Sequence, residues 1–208
     1  IADIFAEKVV DIHQVEEILD VDAFIRYWAM ESLMGFWDSY CSNQNNFYFY
    51  RNPENDKFYF IPWGADSSFS RTTPLPPYRI RPRSVHAKAV IPNKLYRIPE
   101  VQEKYISTMK AFLDQHWQED ELLAEIDRLE TMLEPKVVDE EFQSTMDKYR
   151  SFVKTRRRSI NRELANGAPK LQSREQTPVY MSVVGEATVS FSGEWYENAP
   201  ANKDNLGK

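Results

Sequence analysis

The chain has 208 residues, long enough for one domain with a buried core and short for two. Its 26 Lys and Arg against 32 Asp and Glu give a net charge of −6, which excludes a protein whose whole surface serves nucleic acid or an anionic membrane and leaves room only for a local basic patch. Hydrophobic residues at 42% and charged residues at 28% fit a globular domain, not a disordered or membrane-embedded chain, and the 12 Phe, 11 Tyr and 5 Trp need somewhere to bury.

In chain order, Val9, Ile12, Val15, Ile18 and Leu19 recur at helical spacing. Asp20 or Asp22 can cap a second helix whose apolar side carries Phe24, Ile25, Trp28, Ala29 and Leu33, with Gly35 at its end. A polar loop, WDSYCSNQNN, leads into FYFYR, the turn segment NPEND and then KFYFIPWGAD. Two aromatic runs around a Pro/Asn/Asp turn predict an antiparallel hairpin over 46–51 and 57–63. From Ser67 to Pro92 the prolines 74, 76, 77, 82 and 92 block regular hydrogen bonding, and Arg71, Arg79, Arg81 and Arg83 make the segment basic. Helical patterns return at 99–114, 119–133 and 139–166, the last with Phe142, Met146, Tyr149, Phe152, Val153, Ile160 and Leu164 on one face and Gly167 at its stop. A polar linker over 168–177 then gives way to VYMSVVGEATVSFSGEW, whose period near two predicts a strand pair in a β-rich segment over 178–208. The fold class expected is therefore α+β, mostly helical with one hairpin.

One cysteine, Cys41, excludes an internal disulfide and any multi-cysteine zinc site, and is expected as a small buried residue. His13, His86 and His116 have no second His at metal-ligand spacing. No apolar run approaches the roughly 20 residues that span a bilayer. The chain opens on Ile1 rather than Met, and we expect a piece of a longer protein. The run KTRRR at 154–158 reads as a solvated helix face; with Arg79–Arg83 it could instead hold an anionic substrate.

Two places can carry chemistry. Asp38 sits after a helix in a loop with Asn43, Asn45 and Asn46 five, seven and eight residues on. An Asp followed closely by an Asn that opens a strand suits phosphoryl transfer: the Asp accepts the proton of the attacking hydroxyl, and the Asn carbonyl ligates magnesium. Asn46, directly before FYFY, is favoured for that place, although Asp and Asn are also ordinary turn residues. Asp66 follows the second strand, 28 residues after Asp38, where a carboxylate projects back toward the loop. Asp66 and Asn46 together could hold Mg²⁺ against substrate phosphates. The six glycines form no phosphate-cradling loop, and no Walker motif is present.

Taken in order, these motifs resemble the spore-coat protein H (CotH) kinase family. The resemblance rests on DVDAFIRYWAMESLMGFWDSYCSNQNNFYFYRNPENDKFYFIPWGAD and extends more loosely through NKLYRIPEVQEKY, covering most of residues 10–165. It implies an atypical protein kinase whose helical large lobe spans 1–167, which uses ATP with Mg²⁺ or Mn²⁺ to phosphorylate Ser/Thr of secreted or surface proteins. Its partners are then ATP and a protein substrate rather than nucleic acid, and its place the cell envelope or the exterior of a bacterial cell. By position Asp38 matches the catalytic Asp, Asn46 the Asn before the aromatic strand and Asp66 the metal-binding Asp; Asn43, Asn45, Asn46 and Asp66 are the candidate cofactor-binding residues. Many members read Trp-Asp-x-Asp where this chain has Trp63, Gly64, Ala65 and Asp66, so one carboxylate is absent. The family's nucleotide-binding Lys, on an amino-terminal lobe, is expected before Ile1. The competing readings are a pseudokinase or surface-assembly module that binds without catalysis, which Gly64 suits, and a wall-associated structural domain, suggested only by the β-rich tail.

Overall fold

Asp20 sets the first fixed point of the fold. In the computed structural model, which describes residues 2–72, 82–137 and 141–171, its carboxylate accepts the Ala23 N–H at 2.8 Å and starts a 14-residue helix. Three helices precede or form this region: α1 (Ala2–Ala6), α2 (Ile12–Ile18) and α3 (Val21–Met34). Val9, read as the start of the first apolar stripe, lies outside α2 and is 82% exposed. The helix stripe begins only at Ile12, because Asp11 caps there by accepting the His13 N–H.

α3 is the central element. Phe24, Ile25, Trp28, Ala29 and Leu33 are all buried. α6 (Pro99–Gln115) packs beside it, with Val101, Tyr105, Met109 and Leu113 buried at helical spacing, while α5 (Val90–Leu95) lies against α1. The Trp28 and Tyr105 rings meet at 4.1 Å between centroids, and the Trp28 indole N–H donates to the His86 carbonyl at 2.6 Å, so this large ring is buried with its one donor satisfied.

The hairpin lies on the other flank of α3. Strands β1 (Phe47–Arg51) and β2 (Phe58–Pro62) pair antiparallel, Phe47 opposite Pro62 and Arg51 opposite Phe58. Period-two alternation sends Phe47, Phe58 and Phe60 toward α3, where Phe60 meets Phe24 at 5.0 Å and Tyr27 at 5.6 Å. The opposite face leaves Tyr48, Tyr50 and Ile61 exposed. The polar loop before β1 contains a single helical turn, α4 (Tyr40–Asn43).

Two helices close the described chain, α7 (Glu119–Leu133) and α8 (Phe142–Leu164), packed on each other. On α8, Phe152, Arg156, Ile160 and Leu164 are buried at four-residue spacing, which corrects the reading of KTRRR as one solvated face. Arg156 turns inward and donates from Nε to Leu33 O at 2.8 Å and from Nη2 to Ser32 O and to Arg83 O at 2.9 Å. It thereby occupies the carbonyls of Leu33 and Ser32 in the last turn of α3, the second of which also accepts the Gly35 N–H at 3.1 Å. Arg157 pairs with Glu119, while Lys154 and Arg158 stay exposed. Neither Arg156 nor Arg157 is free for an anionic substrate; Arg79 and Arg81, like the segment 178–208 read as β-rich, lie outside the described residues. The described chain is thus mostly helical with one small antiparallel sheet, within the α+β class expected.

Candidate functional site

The site is built where α3 ends. Gly35 takes the left-handed conformation (φ 61°), and a Cβ there would stand 2.5 Å from Ser70 O and 2.8 Å from Phe152 Cζ. Only glycine lets the α3 terminus, the segment after the hairpin and α8 approach this closely. The same junction is tied by the Phe69 N–H, which donates to Met34 O at 2.7 Å. Asp38 leaves from it three residues on.

What holds the Asp38 loop is a buried carboxyl. Ser39 begins α4 without a side-chain cap, and Glu31 of α3 supplies one instead: its Oε2 accepts the Cys41 N–H at 3.0 Å. Glu31 is 2% exposed, and burial pushes its carboxyl above the usual range. Burial, and then the Glu31 charge, likewise push the Tyr27 hydroxyl up. Cys41 is fully buried and its thiol raised by burial, then by Glu31, so it is a packing residue and not a nucleophile.

After α4 the backbone makes two left-handed steps, Gln44 (φ 60°) and Asn46 (φ 52°). Asn tolerates this conformation. The turns fold three amides onto one carboxylate. Asn43 Nδ2 donates to Asp38 Oδ1 at 2.6 Å, Asn46 Nδ2 to Asp38 Oδ2 at 2.7 Å, and Asn45 Nδ2 reaches both oxygens at 3.3–3.4 Å. Asn46 Nδ2 also donates to Asp38 O at 3.0 Å. A carboxylate offers about four lone-pair positions, and an amide meets each of them, the two Asn45 contacts being the long ones, so Asp38 is fixed in orientation.

The amide end of Asn46 is spent on Asp38, so its Oδ1 is turned outward. It faces Gly64, 3.1 Å from the place a Cβ would take, and Asp66 Oδ1 lies 3.5 Å from the same point. The hairpin makes this meeting: Trp63 N–H donates to Asn46 O at 3.0 Å and closes the sheet end, Gly64 turns left-handed (φ 56°), and a 3₁₀ turn over Ala65–Ser67 presents Asp66. Asp38 and Asn46 are therefore bonded directly, and Asn46 and Asp66 share the space over Gly64. Asn43 and Asn45 spend their amide donors on Asp38 and serve to orient it.

That donor set suits a hard cation held with phosphates: one carboxylate and one amide oxygen, with the remaining positions left to water and ligand. It does not suit a metal held by protein alone. Among the described residues no group of three or more His, Cys, Asp and Glu is placed to hold a metal ion. His86 is buried, and burial followed by the charges of Arg156 and Lys88 depresses it to about 3, so it is neutral. His13 is exposed beside Glu16, and His116 is exposed. No helix among the described residues is long and apolar enough to cross a membrane.

Sequence reasoning did not single out Glu31 or Arg156. Glu31 is a charged residue inside an otherwise apolar α3 stripe, and Arg156 falls one turn after Phe152; each is a polar residue at a core position, which is the signal that marks both.

Two curated proteins of the fungus Rhizopus delemar are similar over short stretches. Invasin CotH3 is 38% identical over 55 residues, 26% of this chain and 9% of the invasin, and Invasin CotH2 is 34% identical over 62 residues, 29% of this chain and 10% of the invasin. These matches span about a tenth of the length of either relative. The family model described as CotH kinase protein matches residues 8–162, from before α2 almost to the end of α8 and across Asp38, Asn46 and Asp66, and the chain belongs to that family.

Proposed function

We propose that residues 1–167 form the large lobe of an ATP-dependent protein kinase, with 168–177 a linker and 178–208 a separate β-rich segment, and that the protein transfers the γ-phosphoryl group of ATP to a Ser or Thr hydroxyl. The observation that carries the reading is the division of labour at Asn46: one end of its amide holds Asp38, and the other end faces the space it shares with Asp66. Asp38 takes the proton of the acceptor hydroxyl as the hydroxyl oxygen bonds to Pγ and the bond from Pγ to the β–γ bridging oxygen breaks, releasing ADP. Asn46 Oδ1 and Asp66 would hold Mg²⁺ or Mn²⁺, which neutralises phosphate charge when bound. Beside them, Trp63 and Tyr48 present an exposed aromatic pair, ring centroids 5.3 Å apart, on which a purine can stack. Family membership and the word invasin in the relatives' names support acceptor proteins and a location at the cell surface. A second reading, binding without transfer, is favoured by Gly64, which stands where many members carry a carboxylate.

The structure changes how Asp38 is best tested. Asp38→Asn alone turns an NH₂ group against amide donors that now lie 2.6 and 2.7 Å from the carboxylate, which would disturb Asn46 as well. Pairing it with Asn43→Asp reverses the first hydrogen bond and moves the carboxylate off the reacting position. In the full-length protein the double variant should keep metal-dependent nucleotide binding in calorimetry and lose about a hundredfold or more of phosphate transfer from radiolabelled ATP. Transfer at the wild-type rate would remove Asp38 from the reaction.

A further inference from the structure

The outer face of α8 carries a row of cations. Lys154, Arg158 and Arg162 are exposed at four-residue intervals, which sets them about 6 Å apart along one side of the helix. Every position three or four residues from any of them holds a neutral residue or another cation, so no carboxylate of the helix is placed to pair with the row, and like charges at this spacing weaken a helix. Nor does a neighbouring element supply a partner: none of the three has one among the described residues. The nearby carboxylates are committed elsewhere. Glu163 accepts the Ser84 N–H at 2.8 Å and the Ser84 hydroxyl at 2.9 Å, Glu119 holds Arg157, and Asp147, about two turns before Lys154, leans toward Arg150.

The row starts beside the candidate site. Arg71, five residues after Asp66 and on the wall of the same cleft, donates to Ser151 O at 2.6 Å and to the hydroxyl of Thr155, the neighbour of Lys154. That cleft balances Asp66 and Asp147 against Arg71 and Lys148. The row beyond it has no such balance, in a protein that carries −6 overall. A long polyanion would meet repulsion outside the row, whereas a short chain laid along it would not. None of the exposed large apolar residues of the described chain lies on α8, so this face has nothing to insert into a bilayer and no ring on which a nucleobase can stack. It does present two arginines, whose paired N–H groups grip phosphate, and a phosphorylated Ser or Thr brings nearly two charges and three acceptor oxygens where a carboxylate brings one charge and two. Alternate residues of an extended chain stand about 7 Å apart on one side, close to the spacing of the row.

We infer that the outer face of α8 docks an extended protein segment bearing phosphorylated Ser or Thr at alternate positions, its phosphates meeting Lys154, Arg158 and Arg162. The inference rests on the kinase reading for the origin of those phosphates, but the docking is read without any transfer. Fluorescein-labelled peptides of one length are made with three alternate positions occupied by Ser, phosphoserine or Glu, and their binding to the full-length protein is followed by anisotropy in the absence of ATP. The phosphorylated peptide should bind about tenfold or more tighter than the other two at low salt, with the margin shrinking as salt screens exposed charges. Arg158→Glu, at an exposed and unpaired position, should remove most of that margin; Lys110→Glu, the same change of charge at an exposed position of α6, should leave it. Equal binding of the phosphorylated and Ser peptides, a Glu peptide as tight as the phosphorylated one, or a margin that survives Arg158→Glu overturns the inference. So does an oligonucleotide of equal charge that competes as well as unlabelled phosphopeptide. Transfer from radiolabelled ATP to the Ser peptide separates the two claims. A phosphopeptide preference lost with Arg158→Glu, without transfer, keeps the docking face and sinks the kinase reading. Transfer without that preference keeps the kinase reading and sinks the docking face.

Discussion

Gly64 stands between Asn46 and Asp66, and its geometry allows a quantitative test. The residue sits at φ 56°, ψ 47°, a conformation that costs an L-residue with a Cβ roughly 1–2 kcal/mol. A Cβ would also stand 3.1 Å from Asn46 Oδ1, so Asn46 would have to give by a few tenths of an ångström. Gly64→Ala should therefore lower the melting temperature by about 2–8 °C, taking roughly 2–4 °C per kcal/mol for a chain of this size. Gly64→Asp behaves differently. Aspartate tolerates the left-handed region better, but its carboxylate would lie next to Asp66, whose Oδ1 is 3.5 Å from the Cβ position. Two such charges near solvent repel by about 1 kcal/mol, and more where water is excluded. A divalent cation reverses that sign, because the added carboxylate is then a ligand. In differential scanning fluorimetry, Gly64→Asp should melt below the wild type in EDTA and gain more than the wild type on addition of Mn²⁺ or Mg²⁺. A Gly64→Asp protein whose melting point ignores the metal would refute the placement of the cation between Asn46 and Asp66.

Two further outcomes follow from single residues. His86 is buried with its pKa depressed to about 3 against an ordinary value near 6.5, so the unfolded chain binds more protons in between and stability falls as pH drops through that window. From pH 7 to 5 the wild type should lose about 2 kcal/mol more than His86→Leu in urea titrations; equal losses would contradict a neutral buried His86, and the opposite-signed contribution of Glu31 cancels because both proteins carry it. Trp63 is 58% exposed, so Trp63→Ala should leave stability within about 0.5 kcal/mol. It should nonetheless weaken ATP about fivefold to 150-fold, the 1–3 kcal/mol of a stacked base, and unchanged calorimetric affinity would move the nucleotide base elsewhere.

Periodic segments were legible before any coordinates. The patterns at 99–114 and 119–133 match α6 and α7 to within a residue or two, because each carries a strong apolar stripe and the sequence around Pro99 and Gln118 marks the starts. The hairpin was legible for a different reason: the aromatic runs fix one face on α3, and a one-residue slip of β2 would turn Phe58 and Phe60 away from it. α4 was not legible. It is a single turn without its own side-chain cap, and a helix that short owes its existence to a tertiary contact, the Glu31 carboxylate on Cys41 N–H, that no local pattern encodes.

The site shows the same limit more sharply. Asp38, Asn46 and Asp66 could be picked out because residue type and spacing suit one reaction, yet three asparagines stood in that loop and spacing alone could not assign their tasks. Their division depends on the left-handed turns at Gln44 and Asn46, which fold all three amides onto Asp38 and leave the carbonyl end of Asn46 facing Gly64. Those turns depend in turn on α4 being held by Glu31 and on the end of α3 being held by Arg156, 118 residues further along the chain than Asp38. A carboxyl and a guanidinium buried at this depth are costly to place, and removing one partner of such a contact is costlier still. At the end of α3 and the start of α4 that cost is set against the fixed geometry that the proposed phosphoryl transfer would require, in which a general base displaced by about 1 Å loses much of its effect.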